Sequence, residues 1–483
     1  MFPPLQDLYR VAPELVLCGF GMLVMLLTPL VPRAKQRVLT ELALAGAVIA
    51  LVATRYPQWY PGTAYSGLFR ADDYSLFVHW IVGGVAALAI LGSASYLQRE
   101  SCDPGEFCAL ILFATAGMGV MAGAQELLTA FIGLEMSSIS SYILASYKRD
   151  APRSNEAAMK YFLLGSFATA FLLYGIALTY GATGTTRLDL MAKSAGDPPG
   201  TLLKLGLGFI FVGLAFKVAA APFQFWTPDV YEGAPAPVTA LLSTGPKAAA
   251  FALLLRILAN VEAAGGLWFW ALWVAAALSM FAGNIAALVQ TNIKRMLAYS
   301  SIAHAGYILA AIAAAAATDQ YESGIAAALF YLVTYALAKL GAFLIVAQLG
   351  GAGERHVAIE DFAGLARRQP AMAACLSLFL LSLLGLPVTA GFLGKFYVFN
   401  AALESNLIWL AVLLGLNSVI AAYYYLRVIV VMYMREPKQE ISAEPVPWTL
   451  SLVLWISAAG TIFAGIFPAR IIGFAAKAAA TMR

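Results

Sequence analysis

Charge is scarce in this chain. Asp, Glu, Lys and Arg make up 12% of its 483 residues, where a soluble domain carries about 25%. That scarcity excludes a sizeable water-soluble domain. Cysteine is rare too: Cys18, Cys102, Cys108 and Cys375 show no C-x-x-C spacing, so no iron–sulfur or zinc site is readable and they are assigned to packing. No G-x-x-x-x-G-K-[ST] is present, nor a G-x-G-x-x-G after a strand, which excludes sites for ATP or a dinucleotide. Any uphill movement must then draw on an ion gradient or on another subunit. Alternation at period 2 is also missing, which argues against an outer-membrane barrel. The net charge of +4 says little, because in a membrane the side on which a charge lies matters more than the sum.

What the chain has in quantity is oil. Hydrophobic residues reach 61%, and apolar stretches of roughly 18 residues or more recur from end to end, each long enough to cross a bilayer. The expected fold is an all-α polytopic membrane protein with about fourteen spans. They lie near 13–31, 38–55, 73–96, 107–124, 126–147, 159–181, 203–221, 236–258, 267–290, 296–316, 323–349, 371–400, 406–433 and 449–473. The first run, "PELVLCGFGMLVMLLTPLV", is long enough to stay as a helix, so no cleavable signal peptide is expected. The loops "RAKQR", "YKRDAPR", "NIKR", "GERH…ARR" and "REPK" carry more Lys and Arg than the alternate set. They should be cytoplasmic, which puts both termini on the other side of the membrane.

Two spans look broken. "FKVAAAPFQFW" places Pro222 just after Lys217, and "LLGLPVTAGFLGKFYVF" places Pro387 and Gly391 ahead of Lys395. Proline removes a backbone hydrogen bond and clashes one turn back. Irregular backbone at membrane depth is tolerated only inside protein or along a cavity. The broken spans are the seventh and twelfth, which suggests two five-helix repeats of opposite orientation, a pattern that points to a transport path. The predicted segments are helices 1–3 in 1–106, a first repeat in 107–258, a second in 267–433 and a last helix in 449–483. The plainer alternative is a pair of proline kinks.

A charge near the centre of a span costs about 2.5–3.5 kcal/mol on insertion scales, so it faces a partner or water. Glu135 in "FIGLEMSSISSYIL", Lys217, Lys247 in "STGPKAAAF", Lys339 in "YALAKLGAF" and Lys395 are such charges. A lone buried amine tends to give up its proton, and a nearby carboxylate restores it. A Glu135–Lys217 pair that opens and closes is therefore a proton switch. Lys247, His304 in "SIAHAGY", Lys339 and Lys395 would extend it as a relay, bridged by water or polar groups, and histidine suits that task near neutral pH. His304 also fits a packed core histidine. Lys160, in "AAMKYFLLG", fits equally a relay residue and a side chain snorkelling to the surface. His79 has no charged neighbour in its span and is assigned to packing, and His356 to a solvated loop.

At these residues a resemblance emerges. "AFKVAAAPFQFWTPDVYEGAPAPVTALLSTGPKAAAF", "NIKRMLAYSSIAHAGY" and "EAAMKYFLLGSFA" resemble the antiporter-like membrane subunits of respiratory complex I, which are similar in turn to subunits of multi-component sodium/proton antiporters. The resemblance covers nearly the whole chain. Its subunit N branch fits best, because no long lateral helix follows the last span and the twelfth carries Lys395 where the M branch has glutamate. It implies proton translocation in an NADH:quinone oxidoreductase, with Glu135, Lys217, Lys247 and Lys395 on the path and Lys160, His304 and Lys339 secondary. Gln224 stands where the family often has histidine, so a relay through that turn would use water. Lys339 is a lysine that the N branch often lacks.

The implied protein is one proton channel in a redox pump, a translocase subunit with no redox chemistry of its own. No cofactor is expected in this chain; FMN, iron–sulfur clusters and quinone are expected in partner subunits. The partners would be other membrane-arm subunits, including neighbouring antiporter-like ones, with lipid and protons and no nucleic acid. The alternatives are a cation/proton antiporter subunit without redox coupling, or a passive membrane scaffold.

Overall fold

The computed structural model describes residues 4–32, 35–194, 199–317, 321–437 and 445–482. Arg33 and Lys438, two of the basic loop residues that orient the chain, and Arg483, in the last predicted segment, lie outside the described residues.

The chain is helical almost throughout. In order come α1 (Leu5–Arg10), α2 (Ala12–Leu27), α3 (Arg37–Ala53), α4 (Arg55–Trp59), α5 (Asp73–Arg99), α6 (Pro104–Gly123), α7 (Leu127–Ala145), α8 (Pro152–Thr183), α9 (Leu188–Ser194), α10 (Thr201–Lys217) and α11 (Trp226–Gly233). Then follow α12 (Ala236–Leu242), α13 (Gly245–Asn260), α14 (Glu262–Leu288), α15 (Ile293–Ala317), α16 (Tyr321–Leu349), α17 (Leu365–Arg368), α18 (Pro370–Leu384), α19 (Ala390–Glu404), α20 (Ile408–Met434), α21 (Trp448–Ile466) and α22 (Ala469–Ala480). One small hairpin, β1 (Gly62–Ala64) with β2 (Phe69–Ala71), precedes α5. Among the described residues 11 helices are long and apolar enough to cross a membrane, with α2 and α18 as shorter apolar helices. The protein is an integral, multi-pass membrane protein.

Local chemistry sets where these helices start and stop. The Asp72 side chain accepts from the Ser75 amide while Ser75 bonds back to Asp72, a capping box that opens α5. Asp103 caps α6 with Pro104 at its first turn, and Glu126 accepts from the amides of Leu128 and Thr129 to open α7. Helices in lipid gain little from oil meeting oil, so they approach through small residues. A Cβ at Gly306 of α15 would sit 2.8 Å from the Ala276 carbonyl of α14, and one at Gly175 of α8 would sit 2.7 Å from the Gly206 carbonyl of α10.

Burial sorts the helices into an interior and a rim. Over an apolar stretch of 18 residues, 89% is buried in α15 and in α16, against 33% in α8 and 39% in α20. The corresponding stretch of Ala236–Asn260 is 94% buried, so the interior helices are those that carry Lys247, His304 and Lys339.

Both predicted breaks are present, and both differ in detail from the prediction. The seventh span stops at Lys217, before Pro222, and the twelfth is two helices separated by Gly385–Thr389. Each gap holds a non-glycine residue in the left-handed region, Ala219 at φ 60° and Val388 at φ 77°. Such conformations cost about 1–3 kcal/mol each and persist where the surroundings impose them. A further interruption corrects the expectation of two. The eighth span, predicted as continuous over 236–258, breaks at Ser243–Thr244 between α12 and α13. Pro246, in the first turn of α13, has no amide hydrogen, and its ring conflicts with a helical carbonyl at Leu242. Pro468 likewise divides the last predicted span into α21 and α22.

Candidate functional site

Lys217 is the last residue of α10. Carbonyls at a helix C-terminus lack partners and carry partial negative charge, which favours an ammonium there. Its Nζ donates to Ser138 Oγ (2.7 Å) and Tyr142 OH (3.0 Å) of α7. Glu135 lies one turn before Ser138 on the same face, yet its carboxylate accepts from Thr169 Oγ1 of α8 at 2.9 Å. Among the described residues no ion pair joins Glu135 to Lys217, so the arrangement is the open one. Beside Lys217 a small cavity of about 20 Å³ is lined by Ser137, Ser138, Ser141, Lys217 and Pro246. That is room for about one water molecule, between Lys217 and the turn that bears Lys247.

Lys247 is 2% exposed and sits in the first turn of α13, the positive end of a helix, which disfavours added cationic charge. Its Nζ donates to the carbonyl (2.9 Å) and the Oγ (2.7 Å) of Ser301, and Ser301 Oγ in turn meets Tyr335 OH at 2.7 Å. His304 contacts Tyr331 OH through Nδ1 (2.7 Å) and Tyr425 OH through Nε2 (3.1 Å). Tyr425 OH meets Ser300 Oγ at 2.5 Å, and Ser300 Oγ accepts from Lys339 Nζ at 2.9 Å. A continuous hydrogen-bonded chain thus runs Lys339–Ser300–Tyr425–His304–Tyr331. Lys339 is wholly buried and also donates to the Leu297 carbonyl.

Lys395 donates to the Leu384 carbonyl at 2.8 Å, at the C-terminal end of α18, and its Nζ lies 4.7 Å from the centre of the Tyr307 ring. Gly391 allows the two half-helices to meet, since a Cβ there would fall on the Ser382 carbonyl. Gln224 Oε1, in the turn after Lys217, and Thr227 Oγ1, in the first turn of α11, are buried without a hydrogen-bond partner among the described residues, and a water molecule would satisfy such groups.

The structure therefore brings Lys247, His304 and Lys339 into one hydroxyl-rich interior and sets Lys217 and Lys395 at helix ends beside it. Lys160 lies elsewhere. It pairs with Glu156 (2.8 Å) and Asp229 (2.9 Å), and Asp229 and Glu232 share Arg295. This ionic cluster lies at the basic-loop end of the helices. Nearby, Lys294 Nζ reaches Glu354 at 2.6 Å, and Glu354 also accepts from Tyr96 OH and the Ala236 amide. Burial pushes the Glu354 carboxyl up, but the Lys294 ammonium and these hydrogen bonds outweigh it and hold the group below the usual carboxylate range.

Besides Lys294–Glu354, two buried contacts were missed from the sequence. His79, assigned to packing, meets Glu14 at 2.6 Å through Nε2, while Nδ1 faces the Ser75 carbonyl at 2.5 Å. A carbonyl only accepts, so Nδ1 donates to it. Arg256, in "LLLRIL" near the end of α13, is fully buried and makes a two-pronged contact of 2.9 Å and 2.9 Å with Asp72, the N-cap of α5. An acid at the start of an apolar run and an arginine inside one were the available signals.

Residues 124–421 match the family model described as NADH:quinone oxidoreductase/Mrp antiporter, TM. The chain is 49% identical over 482 residues to NADH-quinone oxidoreductase subunit N 1 of Solibacter usitatus, covering 99% of this chain and 98% of that one. It is 45% identical over 476 residues to subunit N of Trichlorobacter lovleyi, covering 98% and 97%. Among solved structures it is similar to a chain of respiratory complex I from Thermus thermophilus with bound aureothin, with TM-score 0.81, 36% identity and coverage of 95% and 98%. A chain of the Mrp complex from Dietzia sp. shares the fold at TM-score 0.86 and 20% identity, covering 98% and 97%. The chain belongs to the NADH:quinone oxidoreductase/Mrp antiporter transmembrane family, on the branch of the NADH-quinone oxidoreductase N subunits.

Proposed function

We propose that this chain is a proton-translocating membrane-arm subunit of an NADH:quinone oxidoreductase, and that its buried amines form the proton path. One observation carries the reading of the path: among the described residues Lys217, Lys247, Lys339 and His304 are joined by hydroxyls rather than neutralised by acids. Lys217 connects to Ser138 and Tyr142, Lys247 to Ser301 and Tyr335, and Lys339 through Ser300 and Tyr425 to His304. Intramembrane charges so arranged mark pathways.

Glu135 and Lys217 act as the switch. When Glu135 turns from Thr169 toward Lys217 it holds the ammonium; when it turns away, the proton is free to pass through the serine-lined cavity toward Lys247. Hydroxyls accept and donate in turn, so each step needs only short transfers and side-chain rotation. Lys339 joins at His304 as a branch toward the basic-loop end of α15. Lys395 is the terminal store. Lys160, with Glu156 and Asp229, stands at the surface as a collecting site.

The driving energy comes from partner subunits. FMN, iron–sulfur clusters and quinone belong to them, and neighbouring antiporter-like subunits adjoin this one. The basic loops face the cytoplasm of a bacterial inner membrane and both termini face the periplasm, as the excess of Lys and Arg on one side supports. Segments 107–258 and 267–433 form inverted repeats. Their breaks support this: each sets an amine at a helix end and holds a left-handed non-glycine residue.

The test is reconstitution of the complex into vesicles, with proton uptake and quinone reduction followed together. Lys395→Met should lower protons moved per electron while assembly persists. An unchanged ratio in that variant would remove Lys395 from the path.

A further inference from the structure

Away from the amine row, a cleft of about 430 Å³ opens on the membrane-facing side between α5, α16 and α22. That is the size of a small-molecule site. Its walls are apolar, with Trp80, Gly84 and Leu88 on α5 and Leu337 and Leu340 on α16. Arg470 is the one charged residue that lines it. Its side chain is exposed, and among the described residues it has no hydrogen bond or ion pair.

The depth of Arg470 follows from the helices. α21 has 19 residues, about 28 Å at 1.5 Å per residue, close to the roughly 30 Å hydrocarbon core. Trp448 starts it beside Gln98 and Asp103, at one end of α5. Arg470 follows its other end by four residues, at the level where headgroups begin. Trp80 is 49% exposed there, as interfacial aromatics are. α22 then runs on toward the far end of α5, where Lys477 pairs with Asp73 at 3.0 Å.

From Arg470 the cleft descends into the membrane. Trp80 to Leu88 covers about two turns of α5, roughly 12 Å. Gly84 deepens it: nothing lies within 4 Å of where its side chain would begin. A single cation at headgroup level above an apolar slot running along the helices matches one ligand shape.

We propose that this cleft binds an anionic phospholipid of the leaflet at the Asp73 end of α5. Its phosphate pairs with Arg470, and one acyl chain lies in the slot between α5 and α16. The lipid packs on the outer side of the helix whose inner side carries Lys339. The proposal is independent of the proton path.

The test uses the intact complex in mild detergent and two photoactivatable probes with identical diazirine-bearing acyl chains, a phosphatidylglycerol and a phosphatidylcholine. After irradiation, labelled peptides are mapped. The α5 and α16 segments lining the cleft should be labelled, with a preference for the anionic probe of about fivefold, the scale of one basic residue at an anionic surface. Arg470→Gln should abolish that preference and keep some labelling. Gly84→Phe, or Leu88→Trp as a second filling variant, should remove labelling by both probes while quinone reduction confirms assembly. Absent labelling in the unsubstituted complex, or labelling indifferent to headgroup and to Arg470→Gln, overturns the proposal. So does crosslinking of a photoreactive residue at Leu337 to a neighbouring subunit, because protein then covers the slot.

Discussion

Lys217 and Lys395 each stand at a helix break, yet their surroundings differ in kind. Around Lys217 are hydroxyls and, one turn away, a carboxylate held in reserve by Thr169. Around Lys395 are a backbone carbonyl and an aromatic face. The rest of the second half of the amine row, which starts at Lys247 although that residue belongs to the first repeat, is alike: Lys247 and Lys339 rest on carbonyls and serines, and no hydrogen bond or ion pair joins them to an acid among the described residues. Fixed oxygen dipoles stabilise a proton without trapping it, whereas a full carboxylate traps it until it moves. The first half is thus built to hold and release on command, and the second to pass along.

The sharpest test of that contrast is Lys247, where the halves meet. Lys247→Met keeps length and volume without charge and should cut proton transfer by roughly a hundredfold, the scale of losing a positioned proton carrier. Lys247→Arg should do the same, because guanidinium does not deprotonate in this range. Proton uptake in vesicles, measured beside quinone reduction, decides it. Parental proton-to-electron ratios in both variants would make Lys247 structural.

Next comes the acid that distinguishes the first half. Glu135→Gln should slow translocation by about tenfold, and Glu135→Asp should keep a large part, since a shorter acid still pairs. Equal pumping by Glu135→Gln and the parent, in a fully assembled complex, would erase the difference between the halves.

A smaller effect is expected at His304. Its two tyrosine contacts can be partly replaced by an amide, so His304→Gln should slow transfer severalfold without stopping it. If instead it matches Lys247→Met, the second half has a single obligatory carrier. Hydrogen exchange on the tyrosine-rich helices, alongside flux, separates lost packing from lost transfer.

The smallest effect concerns the loop outside the membrane. The folded Glu354 carboxyl sits below its usual range, so its stabilising contribution is fully present above the unfolded value of about 4.3. It is lost as pH falls through the lower folded value. Limited proteolysis of the loop that bears Glu354 should therefore accelerate only in acid, and Glu354→Gln should make it fast at all pH values. Cleavage independent of pH in the parent would contradict this.

Much of the fold was legible because the bilayer imposes a length on every span. Pro222 and Pro387 announced their breaks because each stood among apolar residues inside a span. Pro246 was passed over, although its physics is the same, because "LLSTGPKAAAF" reads as one apolar stretch. The amines of the site were legible as charges in oil. Their partners were not: Ser138, Ser301, Tyr335 and Tyr425 are ordinary residues until folding aims them. Lys160 could be read two ways: Glu156 is one turn away on α8 itself, but its pairing with Asp229 depends on α11 folding back beside α8. His79 looked isolated because Glu14 lies 65 residues earlier.

The Arg256–Asp72 contact also bears on how the chain is made. Arg256 lies four residues before the end of α13 and is fully buried, and a buried charge left without its partner is costly. Asp72 precedes the arginine by 184 residues, so the carboxylate is synthesised, and its helix placed, well before Arg256 leaves the ribosome. The later helix arrives to a counter-charge already waiting. Asp72→Asn would withdraw that partner during biogenesis, and the eighth span would then have to enter the lipid with its cation unaccompanied.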